Sequence, residues 1–224
     1  MSKLVVQNLN KSYYLGGERL EVLRGLSLTM QAGDSLAVVG PSGCGKSTLL
    51  HILGTLDKPD GGLVQLDSIE PFSLGENKLA AFRNKNIGFI FQDHHLLPQL
   101  TVLENVLIPA LATGPAMAED RDRAIELLRR VELTDRMTHL PGELSGGQRE
   151  RVAIARSLFR GPSLLLADEP TGNLDRRTAE RMVELLLELQ SQSGAMLISV
   201  THSDSLASAM GRRAELIDGV LVES

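Results

Sequence analysis

One run, Gly40-Pro41-Ser42-Gly43-Cys44-Gly45-Lys46-Ser47-Thr48, limits what this chain can fold into more than any other feature. It fits G-x-x-x-x-G-K-[ST], a spacing that has meaning only between a strand and a helix. Both flanks are present. Ser35–Val39 is a continuous apolar run, the pattern of a strand buried on both faces. Leu49, Leu50, Ile52 and Leu53 follow as an apolar helix. Glycines let backbone N–H groups converge on phosphate oxygens, and the helix start adds positive partial charge. Lys46 can then reach β- and γ-phosphates, and the Ser47 hydroxyl can ligate Mg²⁺. A glycine-rich turn alone would account for the glycines but not for the strand and helix around them. Cys44, the single cysteine, lies beside the helix start and Lys46, both of which favour a thiolate.

Two further motifs carry chemistry. Leu164-Leu165-Leu166-Ala167-Asp168-Glu169 places two carboxylates at the carboxyl end of a buried strand, where ligands of open α/β sheets sit. Asp168 can hold the Mg²⁺ shell and Glu169 can polarise an attacking water as general base. Leu144-Ser145-Gly146-Gly147-Gln148 reads partly as a capping box, S-x-x-Q before a helix. Its two glycines exceed what a cap needs and leave bare N–H groups at a helix start, an anion site.

The rest of the pattern agrees on an α/β class. Lys3–Leu9, Leu26–Met30, Leu63–Leu66, Ile87–Phe91, Leu164–Ala167 and Met196–Val200 read as strands. Ala124, Leu127, Leu128 and Val131 fall at helical spacing, as do Ala179, Met182, Val183 and Leu186. Another helix is expected over Gly146–Phe159. Asp218-Gly219 between apolar pairs signals a tight hairpin. The expected architecture is a parallel-sheet core with an antiparallel N-terminal layer and a mostly helical stretch over about 93–162, all within one domain, 1–224.

These motifs together resemble the nucleotide-binding subunit of ATP-binding cassette (ABC) transporters, over essentially the whole chain. The resemblance implies a P-loop NTPase, RecA-like core in which 93–162 forms a helical subdomain, with ATP and Mg²⁺ bound. Gly40–Thr48 is then the Walker A loop, Leu164–Glu169 Walker B, and Ser145, Gly146, Gly147 and Gln148 the signature. By the same likeness Tyr13 fits the aromatic that stacks on adenine, with Tyr14 adjacent to it. Gln92 fits the glutamine that reaches Mg²⁺ and the water. Asn173-Leu174-Asp175 fits the loop that crosses to a partner subunit. His202 fits the switch histidine at the γ-phosphate. Asp168, Ser47 and Gln92 would hold the metal, and Glu169, His202 and Gln92 would be catalytic. His51, His94, His95 and His139 have no such support and read as surface or packing residues. The family pairs two chains head to tail, each ATP lying between Lys46 of one copy and Ser145 and Gly147 of the other.

Within the family, Pro170–Asp175 resembles the group that includes lipoprotein-releasing, MacB-type and FtsE-type members. The run Phe91-Gln92-Asp93-His94-His95-Leu96-Leu97-Pro98 followed by Leu103-Glu104-Asn105-Val106, like Leu49–Gly54, looks most like the lipoprotein-releasing (LolD-type) ones. The likeness implies membrane permease partners and a peripheral place on the cytoplasmic face of an inner membrane. The alternative is an FtsE-like or MacB-like ATPase that regulates cell-wall hydrolases or exports another substrate. A third reading, a soluble cassette acting on ribosomes or DNA, predicts tandem cassettes or a long coiled-coil insertion, and neither is present. Composition points the same way. The net charge of −5 over 224 residues argues against nucleic-acid binding through a basic face. No run approaches the ~18 apolar residues of a spanning helix, and the first ten residues lack a signal-peptide pattern. Leu96, Leu97, Leu100, Val102 and Leu103 crowd Asp93–Val106 with few charges. They either pack on the Arg121–Val131 helix or line a groove for a short helix of a membrane subunit.

Overall fold

The computed structural model describes residues 2–223. Strands β1 (Lys3–Leu15) and β2 (Glu18–Gln31) form a hairpin, and β4 (Gly61–Leu66) pairs antiparallel with β1 to complete a three-stranded sheet ordered β2-β1-β4, with β3 (Ser35–Val39) and α1 (Lys46–Leu53) between β2 and β4 in the chain. Then come α2 (Glu76–Asn86), β5 (Ile87–Ile90), α3 (Val102–Leu111), α4 (Ala118–Arg130), α5 (Gly146–Leu158) and β6 (Leu164–Asp168). The chain ends with α6 (Arg176–Ser193), β7 (Met196–Val200), α7 (Asp204–Ala209), β8 (Arg212–Ile217) and β9 (Val220–Glu223). The second sheet has six strands ordered β5-β6-β7-β3-β8-β9, parallel except for β9 at the edge.

The continuous apolar runs are divided by strand pleat, which sends successive side chains to opposite faces. Leu36 and Val38, Leu164 and Leu166, and Met196 and Ile198 face one core, shared with α1 and the antiparallel sheet. Ala37, Leu165, Ala167 and Leu197 face the other, shared with α3 to α6. Burial on both faces is why these strands show no polar alternation. Val38 pairs with Val200 and Val200 with Asp168, so the carboxyl ends of β3, β7 and β6 finish level. The loops that follow them therefore open onto one edge.

The first hairpin runs past the expected ends of Lys3–Leu9 and Leu26–Met30. Its turn is Gly16-Gly17, both left-handed (φ 60° and 90°), as a two-residue hairpin turn of this hand requires. Beyond the core the hairpin is solvated, with Tyr14, Leu15 and Leu20 exposed, so no apolar alternation marks it. The Asp218-Gly219 hairpin forms as expected, both residues left-handed. Helix α2 was not expected from the pattern, because it buries Phe82 and nothing else. Among the described residues no helix is long and apolar enough to cross a membrane.

Candidate active site

A cleft of about 710 Å³ lies at the carboxyl edge of the parallel sheet. It is lined by Tyr13, Val22, Ser42, Gly43, Gly45, Lys46, Ser47, Thr48, Gln92, Asp168, Glu169, Gly172 and His202. Residues scattered from 13 to 202 thus meet because β1, β3, β5, β6 and β7 deliver them to one rim.

The loop after β3 carries Gly40, Gly43 and Gly45 in left-handed conformations (φ 149°, 81° and 106°). A side chain at Gly40 would strike the Leu216 carbonyl, its Cβ only 2.6 Å from that oxygen. Gly45 stands at the N-cap of α1 with no side-chain cap, so the first N–H groups of that helix stay open to an anion. Lys46 is buried, its ammonium donating to the carbonyls of Gly40 (2.8 Å) and Pro41 (2.9 Å). Cys44 is half-buried with Sγ 4.0 Å from the Lys46 Nζ. Gly40, Pro41 and Cys44 do not line the cleft.

Opposite the loop, β6 ends in Asp168 and the next residue, Glu169, is left-handed (φ 46°), a costly conformation for a side chain of its size. The neighbouring strand fixes it there: Glu169 N–H donates to the Val200 carbonyl (3.0 Å). Its Oε2 accepts from the His202 N–H (3.1 Å) and the Thr201 hydroxyl (3.2 Å), while Oε1 lies 3.7 Å from His202 Nε2. Gln92 follows β5, and its carbonyl accepts from Asn173 Nδ2 (3.1 Å).

Tyr13 lines the cleft and Tyr14 does not. The Tyr13 hydroxyl donates to Asp57 Oδ2 (2.7 Å), and the buried Lys11 ammonium donates to Asp57 Oδ1 (2.7 Å) and to the Lys58 carbonyl (2.7 Å). Lys11 Nζ also sits 5.0 Å from the Tyr13 ring centre. Burial, then the Asp57 contact, pushes the Tyr13 phenol up. Burial would raise Asp57 as well, but hydrogen bonds from Lys11, Tyr13 and the Lys58 N–H hold its carboxyl below the ordinary range. Sequence reasoning missed Val22, Lys11 and Asp57. Lys11 two residues before the aromatic on the same strand face was the signal available.

The signature residues lie elsewhere. Ser145, Gly147 and Gln148 line a separate hollow of about 250 Å³ with Thr178 and Arg181. The capping box is formed in full: Gln148 N–H donates to Ser145 Oγ (3.3 Å) and Ser145 N–H to Gln148 Oε1 (2.9 Å). A Cβ on Gly147 would come within 2.8 Å of Thr178, so a glycine permits α5 to approach α6. Asp175 caps α6, accepting from the Thr178 N–H (3.1 Å), and the Thr178 side chain, then that N–H, lowers its carboxyl pKa. The cleft and this hollow have no lining residue in common.

Metal fit can be judged from the donors. Among the described residues no three His, Cys, Asp or Glu side chains gather into a metal cage. Mg²⁺ needs none, since it keeps waters and takes phosphate oxygens with one or two protein oxygens. Ser47, Gln92 and Asp168 supply hard oxygen donors on one cleft.

Of the apolar residues in Asp93–Val106, Val102 and Leu103 are core, and Leu97 is 41% exposed. Asn105 (fully buried) ties down the loop before them, accepting from Leu97 N–H (2.8 Å) and donating to the carbonyls of Leu97, Leu100 and Thr101. The adjoining groove is built mostly by other residues. Two hollows of about 300 and 620 Å³ share Asn84, Ile87, Phe89 and Phe91, with His95 in one and Leu56 in the other.

Residues 23–172 match the family described as ABC transporter. The chain is 61% identical to the lipoprotein-releasing system ATP-binding protein LolD 1 of Rhodopirellula baltica, covering 98% of this chain and 96% of that one. It is 52% identical to LolD of Geobacter metallireducens, over 99% and 98%. Among solved structures it superposes on the dimeric ATP-binding cassette MJ0796 in a post-hydrolysis state with ADP and Pi. The TM-score is 0.89 at 40% identity, covering 99% of this chain and 97% of that one.

Proposed function

The chain belongs to the ABC transporter family of ATP-binding cassettes, and from that premise we propose that it is the ATP-hydrolysing subunit of a lipoprotein-releasing complex, seated on the cytoplasmic face of an inner membrane. It is an ATPase of that family. The observation that carries the reading is the single cleft shared by Lys46, Ser47, Gln92, Asp168, Glu169 and His202. The lipoprotein assignment is supported by end-to-end similarity to relatives bearing that name.

The roles follow from charge and position. Lys46 and the open N–H groups of α1 bind the β- and γ-phosphates, and Tyr13 offers its ring to the base. Ser47, Asp168 and Gln92 would hold Mg²⁺, which when bound offsets the charge of the phosphates. Glu169 takes the proton of the attacking water. Its strained backbone and the bond from His202 N–H fix the carboxylate before substrate arrives. A second copy would close this cleft over the γ-phosphate with Ser145 and the bare N–H groups at Gly146 and Gly147. The solved dimers of a similar cassette support that pairing. The groove of Leu56, Ile87, Phe89 and Phe91 would receive a cytoplasmic helix of the permease.

Reconstitution tests the reading. The chain purified with its membrane partner in vesicles holding a lipidated protein should, on addition of ATP, release that protein to a soluble acceptor able to shield its acyl chains. Partner-stimulated ATP turnover with the lipoprotein left in the bilayer would sink the lipoprotein assignment and leave the ATPase.

A further inference from the structure

Two ionisable side chains lie buried outside the cleft, and the chemistry above uses neither. Glu150, on α5, is 1% exposed and His94, two residues after Gln92, is 7% exposed. His94 Nδ1 lies 2.9 Å from Glu150 Oε2 as an ion-pair contact, and neither that nitrogen nor Glu150 Oε1 has a hydrogen-bond partner among the described residues. Burial drives the Glu150 carboxyl pKa up, against the opposing influence of His94 and Arg156. A carboxylate in such a place is costly unless paired. Packing alone would be served as well by an apolar residue.

The loop that His94 sits on is itself held in an unfavourable shape. His94 and His95 are consecutive left-handed residues (φ 60° and 47°), neither of them glycine. Arg156, also on α5, donates to both of their carbonyls, at 2.5 Å to His94 and 2.7 Å to His95. The His95 ring stacks on Phe91 with centres 4.6 Å apart. On its other side the loop is tied by Asn173 to the Gln92 carbonyl. Helix α5 therefore grips the chain immediately after Gln92, and α5 begins at the signature residues Ser145 and Gly146.

We propose that His94 and Glu150 are a positioning pair, which locks the Gln92 loop to the signature helix and so sets where Gln92 stands in its cleft. The proposal rests on the reading of Gln92 as a catalytic and metal-holding residue. Its consequence is directional. A shift of α5, whose start would face the second copy's nucleotide, moves Gln92 in its own cleft through the His94–Glu150 contact, beside the Arg156 bonds to the same loop.

Steady-state ATP hydrolysis by the full chain tests it. His94→Ala and Glu150→Ala should each lower kcat by about tenfold to a hundredfold, the scale of a misplaced reacting group, with KM for ATP held within about twofold. The double variant should be no slower than either single one. Glu150→Gln, which keeps an oxygen for His94, should restore most of kcat. In a Gln92→Ala background, adding His94→Ala should change nothing further. Losses that multiply in the double variant, or unchanged kcat in both singles while Gln92→Ala is slow, would overturn the pair. A Gln92→Ala variant as fast as the parent would instead remove the reading beneath it, and the proposal would fall with that. Should an alanine variant not fold, the double His94→Leu/Glu150→Leu fills the same space without charge. A cooperative melt with lowered kcat supports the pair, and a cooperative melt with parental kcat overturns it.

Discussion

The backbone N–H of His202 is aimed at the Glu169 carboxylate, 3.1 Å from Oε2. It ties the end of β7 to the end of the adjacent β6 at the rim of the cleft and leaves Oε1 facing the His202 ring at 3.7 Å. A glutamine at 169 keeps an oxygen for that N–H and for the Thr201 hydroxyl but can no longer accept a proton. Glu169→Gln should therefore fold and bind ATP as the parent does. Turnover should drop by about 10²–10⁴, the scale of a positioned acid–base group. With ATP retained, the closed dimer should accumulate and be seen on size-exclusion chromatography. Near-parental turnover in the pure variant would take the general-base role away from Glu169.

Asp57 and Tyr13 make a second test. The ring of Tyr13 is held by its hydroxyl on Asp57, which Lys11 anchors in turn. Tyr13→Phe keeps the ring and loses the tether. ATP affinity should weaken by roughly fivefold, about one hydrogen bond, and discrimination of ATP from GTP should narrow. The Asp57 carboxyl is held below its ordinary value, so the tether's contribution is complete above the ordinary carboxylate range and lost as pH falls through the lowered value. The affinity ratio between parent and Asp57→Asn should accordingly stay flat from about pH 8 to about pH 5. A ratio that collapses near neutral pH would mean some other group holds the ring.

Cys44 offers a chemical probe. Its half-buried thiol sits in the loop within 4.0 Å of the Lys46 ammonium, and bulk attached there displaces the loop that binds phosphate. Maleimide treatment should abolish ATPase activity, ATP should protect against it, and Cys44→Ala should remain active and resistant. Full activity after quantitative labelling of Cys44 would show that the loop tolerates the adduct.

Legibility in the sequence tracked burial. Ser35–Val39 and Met196–Val200 are strands at the expected bounds because both faces are buried, and the one polar residue inside them, Ser199, is buried with the rest. The cleft lining drawn from motifs is largely what assembles, since each motif sits at a strand end and the strands finish level. What was not legible lacks a period or a short spacing. Helix α2 buries one side chain, and α7 has six residues, too few for a stripe. The distinction between Tyr13 and Tyr14 depends on which face of β1 turns to the cleft, in a stretch without apolar alternation. His94 and Glu150 meet only through the packing of α5 on the sheet edge, so His94 reads from sequence as a packing residue with its partner unseen.

The groove beside β5, proposed above to receive a permease helix, can be tested directly. The sequence left open whether Leu96, Leu97, Leu100, Val102 and Leu103 pack inside the chain or line a groove; the hollows beside β5 are lined by Leu56, Ala81, Ile87, Phe89 and Phe91. Leu56 is 48% exposed, so covering what remains of it would contribute about 1 kcal/mol, roughly fivefold in partner affinity. A carboxylate placed there would also be desolvated by any apolar helix that docks. Leu56→Glu and Ala81→Glu should therefore fold, keep basal ATP turnover and lose both co-purification with the membrane subunit and its stimulation of turnover. Leu97→Ser, outside the hollows, should keep both. The reverse pattern, assembly lost with Leu97→Ser and kept with the two groove variants, would move the contact back to the loop after Gln92.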